Sequence, residues 1–371
     1  MKMTLKAALL SVGVALLGAS GSASAVQYTL TILDTLGGTF SYAKGINNSG
    51  QVVGSSGTVG NAATRATMWN NGVVSDLGTL GGTYSGAYGI NNSGQIVGFA
   101  AITGNSASRA TIWNDGVASD LGTLGGAYSA AFAVNDSGQV VGSAYRANDN
   151  EQHATIWSSG VATALNTTSA SVAYGINDAG QVVGYSSVAI KWAGTLETRL
   201  GGRYSFASGI NDTGQIAGAQ AYDGYASGVS FIPNSERAAI WNWSDATMTD
   251  LGTLAGGRNS GARAINELAQ AVGYSDGNFN GRHATIWNGT VATDLNTALF
   301  SIGSGWVLTD ATGINDLGQI VGDATNSTTG ATQGFLLTPI NPVPIPAAGW
   351  LMLSGIGALG AAARRSKNIQ K

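Results

Sequence analysis

The side chains able to act on a ligand fall into two groups, acids and aromatic rings, and both recur at fixed places in the chain. Asp76, Asp120, Asp250 and Asp294 occupy one repeating position, where Ala164, Leu196 and Ile32 stand in other copies. Glycoside hydrolysis uses two carboxylates about 5–10 Å apart. One acid per repeat does not by itself bring two together, and a side-chain to backbone hydrogen bond at a turn accounts for the position. His153 and His283 share the place held by Arg65, Arg109 and Arg237. Zinc needs three or four converging ligands, so these two make no metal site. The chain has no cysteine, no G-x-S-x-G elbow and no phosphate loop. The residues therefore point to no catalytic group, no metal and no cofactor.

The rings are more suggestive. Phe40, Tyr84, Tyr128 and Tyr204 recur in G-G-x-[YF]-S stretches, with Asn259 in their place in another copy, and the longest insertion adds Tyr222, Asp223, Tyr225 and Phe231. Aromatic rings among amides, with few charges, suit stacking against sugars or other neutral polymers. Phe40, Tyr84, Tyr128, Tyr204, Tyr222 and Tyr225 are accordingly the candidate ligand-binding residues. Packing of each ring within its own repeat is the alternative.

What positions them is a repeat. The motif [IV]-N-[ND]-x-G-Q-[IV]-x-G begins at Ile46, Ile90, Val134, Ile176, Ile210 and Ile314, with a degraded copy at Ile265, so the seven copies lie 44, 44, 42, 34, 55 and 49 residues apart. A period of that size marks one supersecondary unit stacked many times. Within Ser129–Leu165 the unit reads as four strands: Ala130–Asn135, a tight N-D-S-G turn, Gln139–Ser143, a variable loop, His153–Trp157, a second turn, and Val161–Asn166. Four strands in about 40 residues is the signature of a propeller blade. Trp69, Trp113, Trp157, Trp192, Trp241 and Trp287, with Leu337 in the seventh copy, hold one position and are expected to fill the space between blades. The N-[ND]-x-G turns lack the acids of a calcium loop and read as hairpin turns.

The ends decide between closed and open architectures. The last unit lacks a fourth strand, while Tyr28–Leu36, ending in L-D-T-L-G-G, precedes the first unit and aligns with the fourth strand at Val74–Gly82. The sequence therefore predicts an all-β, seven-bladed β-propeller of four-stranded blades, its ring closed by the N-terminal strand; a β-solenoid is the alternative. The [RH]-A-T-x-W and D-L-G-T-L-G-G motifs, with N-x-x-G-Q-x-V-G, resemble the HAF extracellular repeat family across nearly all of Tyr28–Leu337. The resemblance implies an extracellular repeat protein and carries no established activity.

Composition fits an exported β protein. Glycine is 56 of 371 residues, charged residues only 10% and net charge −3, which leaves no electrostatic footprint for nucleic acid. Residues 1–25 have the parts of a secretory signal: Lys2 and Lys6, the apolar Ala7–Leu17 and an Ala23-Ser24-Ala25 site for signal peptidase. The propeller is expected over 26–340 and a sorting segment over 341–371. In that segment Val343-Pro344-Ile345-Pro346 precedes the uncharged run 347–363, and Arg364 and Arg365 follow it. The run is expected as a membrane helix. The three-part order resembles the PEP-CTERM sorting signals of Gram-negative bacteria, closest to their V-P-L-P-A variant. That resemblance implies processing by an exosortase after transient anchoring in the inner membrane, and release to the cell surface or matrix. The functional expectation is a non-catalytic binding or structural module, with an exopolysaccharide or other cell-surface component as ligand. The alternative is a secreted polysaccharide lyase or glycosidase on the same scaffold.

Overall fold

The computed structural model describes residues 26–147, 151–165, 169–222, 226–227, 230–231, 235–278, 281–300 and 305–340. They form seven four-stranded antiparallel sheets, six of them with their strands in chain order, and a two-stranded sheet of Ala226–Ser227 and Ser230–Phe231. Blade 1 consists of Gly37–Ile46, Val52–Thr58, Thr64–Asn70 and Val73–Asp76. Blade 2 repeats this with Gly81–Ile90, Ile96–Ile102, Ser108–Asn114 and Val117–Asp120, and blade 3 with Gly125–Val134, Val140–Arg146, Gln152–Ser158 and Val161–Ala164. Blade 4 starts at Val172–Ile176, blade 5 at Phe206–Ile210 and blade 6 at Ser260–Ile265. Blade 7 has only three consecutive strands, Trp306–Ile314, Ile320–Asn326 and Thr332–Pro339. Its fourth is the N-terminal Tyr28–Ile32, with Tyr28 opposite Pro339 and Ile32 opposite Phe335. The expected closure is present, and a solenoid has no such joint.

Because strands alternate in direction, the turns joining strands one to two and three to four lie on one face of the ring, here the hairpin face. Loops between strands two and three, and the passages between blades, lie on the opposite loop face. The closing strand starts, and the last strand ends, on the hairpin face, where the Ile340 N–H donates to the Gln27 carbonyl at 2.8 Å.

The strands begin earlier than the sequence predicts. The first strand of blade 3 starts at Gly125 rather than Ala130, so the G-G-x-[YF]-S stretch is the opening of the next blade and not a free link. The acidic position closes the fourth strand in blades 1 and 2. Its role is the local one expected: Asp76 Oδ1 accepts from the Gly78 N–H and Asp120 Oδ1 from that of Gly122, both at 2.7 Å.

The constant glycine that ends the motif has a steric cause. A Cβ on Gly142 would sit 2.0 Å from the Ala130 carbonyl oxygen, and the same conflict, at 1.9–2.0 Å, recurs at Gly54, Gly98, Gly184, Gly218, Gly273 and Gly322. Opposite each of them the first strand bulges, as between Ala131 and Ala133 in blade 3, which pushes its backbone against the second strand.

Packing between blades follows the repeat. Trp113, Trp157, Trp192, Trp241 and Trp287 are fully buried and Trp69 nearly so. Trp113 joins a core with Val53, Ala66 and Leu77 of blade 1, and Trp69 one with Leu33 and Val321 beside blade 7, so each indole ties its blade to the preceding one. Removing one such side chain costs about 3–5 kcal/mol.

The hairpin face carries a feature absent from the sequence reading. Each Asn of the [IV]-N turn donates its side-chain amide to the backbone oxygen of the equivalent Asn in the next blade, in the order Asn47, Asn91, Asn135, Asn177, Asn211, Asn266, Asn315 and back to Asn47, at 2.9–3.1 Å. A second ring runs beside it. The N–H of Asn48 donates to the Asn92 side chain, and the pattern continues through Asp136, Asp178, Asp212, Glu267 and Asp316 to Asn48, at 2.8–3.0 Å. The turns are hairpin turns, as expected, and also the clasps of the ring.

Candidate ligand-binding site

The first strand of every blade lines the central axis, and the residue two places before the start of the motif varies among the copies: Lys44, Tyr88, Phe132, Tyr174, Ser208, Arg263 and Thr312. These seven, with Tyr185, Phe206 and Asp310, surround a cavity of about 830 Å³. Ile46, Ile90, Ile176, Ile210, Ile265 and Ile314 form its floor, since they line both this cavity and a smaller one of about 240 Å³ among the Asn and Asp turns. The larger cavity is therefore a bowl on the loop-face side of the isoleucines.

Half of the wall is aromatic. The ring centroids of Tyr88 and Phe132 lie 5.2 Å apart, and those of Phe132 and Tyr174 5.4 Å apart in an edge-on arrangement. Phe99 extends the arc outward, 5.6 Å from Tyr88 and 6.3 Å from Tyr84. Blades 2, 3 and 4 thus contribute one ring each to a continuous surface. Burial pushes the Tyr88 phenol above its usual range, so it stays protonated and available as a donor at neutral pH.

The other half is charged. Lys44 Nζ lies 2.9 Å from Asp323 Oδ2, and Asp310 Oδ2 receives both Arg263 at 3.3 Å and Arg282 at 3.1 Å. Asp310 and Asp323 are themselves cross-strand partners. The Arg282 guanidinium sits 3.4 Å from the centre of the Tyr274 ring, whose hydroxyl donates to Glu236 Oε2 at 3.2 Å. Burial pushes the Asp323 and Glu236 carboxyls up, opposed by Lys44 at the first and by the Tyr274 hydrogen bond at the second, while the Tyr274 phenol is pushed up to about 12. Three cations face three carboxylates, so this half is polar and balanced.

The aromatic residues singled out in the sequence lie elsewhere. Phe40 stacks near Tyr42 at 5.6 Å, Tyr84 near Phe99, and Tyr128 edge-on to Tyr145 at 5.9 Å, so each has a ring partner in its own blade. Tyr128 and Tyr204 remain 46% and 48% exposed. None of the four is among the bowl's lining residues, although Tyr84 connects to it through Phe99. Tyr222 ends the second strand of blade 5, Gln215–Tyr222. Tyr225, the sorting motif Val343, Pro344, Ile345 and Pro346, the run 347–363, and Arg364 and Arg365 lie outside the described residues. Among the described residues no helix is long and apolar enough to cross a membrane. The bowl residues carried a signal in the sequence: they form a first-strand column whose chemistry changes from copy to copy, next to a column that is Ala in all seven.

No protein-family model matches the chain, and no curated protein does. Among solved structures it is similar to the β-propeller domain of the Trilobed protease from Pyrococcus furiosus, whose topology is described as open velcro. The identity is 11% and the TM-score 0.51, over 80% of this chain and 93% of that one. An acylaminoacyl peptidase from Pyrococcus horikoshii matches with TM-score 0.47 and 11% identity over 80% of this chain and 51% of its own. XC5397, a gluconolactonase from Xanthomonas campestris, matches with TM-score 0.39 and 11% identity over 85% and 95%. The likeness to the Trilobed protease domain is one of fold, and by fold this chain is a seven-bladed β-propeller, with its own ring closed by Tyr28–Ile32.

Proposed function

We propose that this protein is exported and associated with the cell surface or extracellular matrix, where its bowl binds a saccharide chain. The observation that carries the reading is the arc of Tyr88, Phe132 and Tyr174 on one wall of the bowl. A sugar ring has an apolar C–H face and a polar edge, and it matches a wall of rings opposite a wall of hydrogen-bonding groups. The bowl's volume falls within the range of about 300–1,000 Å³ typical of ligand sites. Binding needs no further catalytic group, and Ser208 and Thr312 leave room between the two walls.

Residues 1–25 and 341–371 support the exported location, the second through its likeness to an exosortase-processed signal. Mass spectrometry of protein recovered from the cell surface checks that part: fragments retaining Arg364 and Arg365 would contradict processing. The binding reading is tested with the purified protein on a glycan array. Retention is expected, and Phe132→Ala and Tyr174→Ala should each weaken it at least tenfold without changing thermal unfolding. No retention, or retention indifferent to both substitutions, would remove the proposal.

A further inference from the structure

We infer that the saccharide carries an anionic group, a carboxylate or a sulfate ester, received by the charged half of the bowl. The inference rests on the binding role proposed above and specifies its ligand. Formal charge on this wall is balanced, but the hydrogen-bonding atoms it offers to the bowl are not. A guanidinium has five N–H donors and an ammonium three. Arg263 places one hydrogen bond on Asp310, Arg282 one on the same oxygen, and Lys44 one on Asp323. The acceptors run the other way. Asp310 Oδ1 and Asp323 Oδ1 are shut off from solvent, so neither is presented to a ligand. Lys44 and Arg263 line the bowl with side chains 31% and 36% exposed.

Each carboxylate thus has one oxygen buried and the other engaged by a cation, while the cations keep donors to spare, which fits a group made only of acceptors. Charge-assisted hydrogen bonds from guanidinium to carboxylate or sulfate oxygens are shorter and about twice as strong as neutral ones. Position supports the same reading. Arg263 lines the same cavity as Phe132 and Tyr174, so the cation and the aromatic arc face one bound ligand. A sugar stacked over Phe132 and Tyr174 would direct a substituent from its edge toward Arg263. A neutral hydroxyl there would accept from one donor at a time, whereas a carboxylate or sulfate accepts from several.

The test uses the purified protein on an array of uronate-bearing, sulfated and neutral oligosaccharides of matched length. Expected is retention of the anionic glycans, at least tenfold loss when the uronates are reduced to neutral sugars or the sulfates removed, and weakening as salt is raised. Arg263→Gln, which leaves Arg282 on Asp310, should cost at least tenfold for anionic glycans, and the salt dependence of the wild type reads the same property if that variant unfolds. Whether uronates or sulfated sugars are retained identifies the group. Neutral glycans held as tightly as anionic ones, with loss in Tyr174→Ala and no salt dependence, would overturn the anionic ligand while leaving saccharide binding in place. Retention of no glycan would remove both.

Discussion

The side-chain amide of Asn315 donates to the backbone oxygen of Asn47 at 2.9 Å, joining residues 268 positions apart. It is the link that turns six inter-blade contacts into a closed ring around the axis. A second closure lies at the periphery, where Tyr28–Ile32 completes blade 7. The protein has no cysteine, so these two hydrogen-bonded joints do the work that a disulfide does in other closed domains.

Asn315 is 4% exposed and its Oδ1 also accepts from the Gln319 N–H. Asn315→Ala would strand the N–H groups of Leu317 and Gln319 and remove one of the two donors to the Asn47 carbonyl, which keeps the Gly50 N–H. An unpaired buried group costs about 1–3 kcal/mol. Denaturant unfolding should show a loss of about 2–3 kcal/mol, and a loss under 0.5 would show that the clasp is dispensable. Asn315→Asp should be worse near neutral pH than in acid, because the carboxylate would face the Asn47 carbonyl it cannot donate to.

The peripheral closure is tested by deleting Tyr28–Leu36. The outer edge of Thr332–Pro339 would lose its partner, and exposed strand edges promote aggregation. A sharply lower unfolding midpoint and a tendency to associate are expected. An unchanged midpoint would show that the clasps at the axis suffice.

Ala269 stands where the other six turns place Gly50, Gly94, Gly138, Gly180, Gly214 and Gly318, and like them it has a left-handed backbone, with φ +59°. That conformation costs an L-residue roughly 1–2 kcal/mol, part of which glycine loses again through its freer unfolded chain. Ala269→Gly should therefore raise stability by about 0.5–1 kcal/mol, read by thermal or denaturant unfolding. A destabilised variant would refute this account of the sixth turn.

Glu267 occupies the second Asn-ring position, where blades 1 and 2 have Asn48 and Asn92. Burial pushes its carboxyl up, the charges of Asp212, Asp316 and Asp178 push the same way, and the N–H of Asp212 opposes them. A raised folded value means that the native state holds the proton more tightly than the unfolded chain, so stability falls as pH rises through that range. Glu267→Gln keeps the acceptor and removes the charge. It should be more stable than wild type at pH 7, with the difference closing below about pH 4, where the glutamate is protonated in both states. A pH-independent difference would argue against the charge mechanism.

The elements legible in the sequence were those whose role repeats. A surplus L-D-T-L-G-G at one end and a missing strand at the other specified seven blades and the closing partner of Phe335. The tryptophans and the turn aspartates also behaved as their recurrence implied. Two things escaped. The Asn clasps look like ordinary turns because each donates to a residue 34–55 positions away, or 268 for the last, and only the ring brings the two together. The bowl escaped for the opposite reason. Recurrence draws attention to Phe40, Tyr84 and Tyr128, whereas a shared central site needs a different side chain from each blade, and Lys44, Tyr88, Phe132 and Arg263 form a column without a consensus.

The hydrogen bond from Ile340 to Gln27 places both ends of the propeller on the hairpin face, while the bowl lies beyond the isoleucine floor toward the other. Whatever is joined before residue 26 or after residue 340 is therefore attached behind the bowl. Holding the protein by either end leaves the mouth unobstructed. On the binding role proposed above, copies fixed side by side on one support would all present their bowls outward and hold a long polymer at many points along its length, with avidity that no single bowl provides.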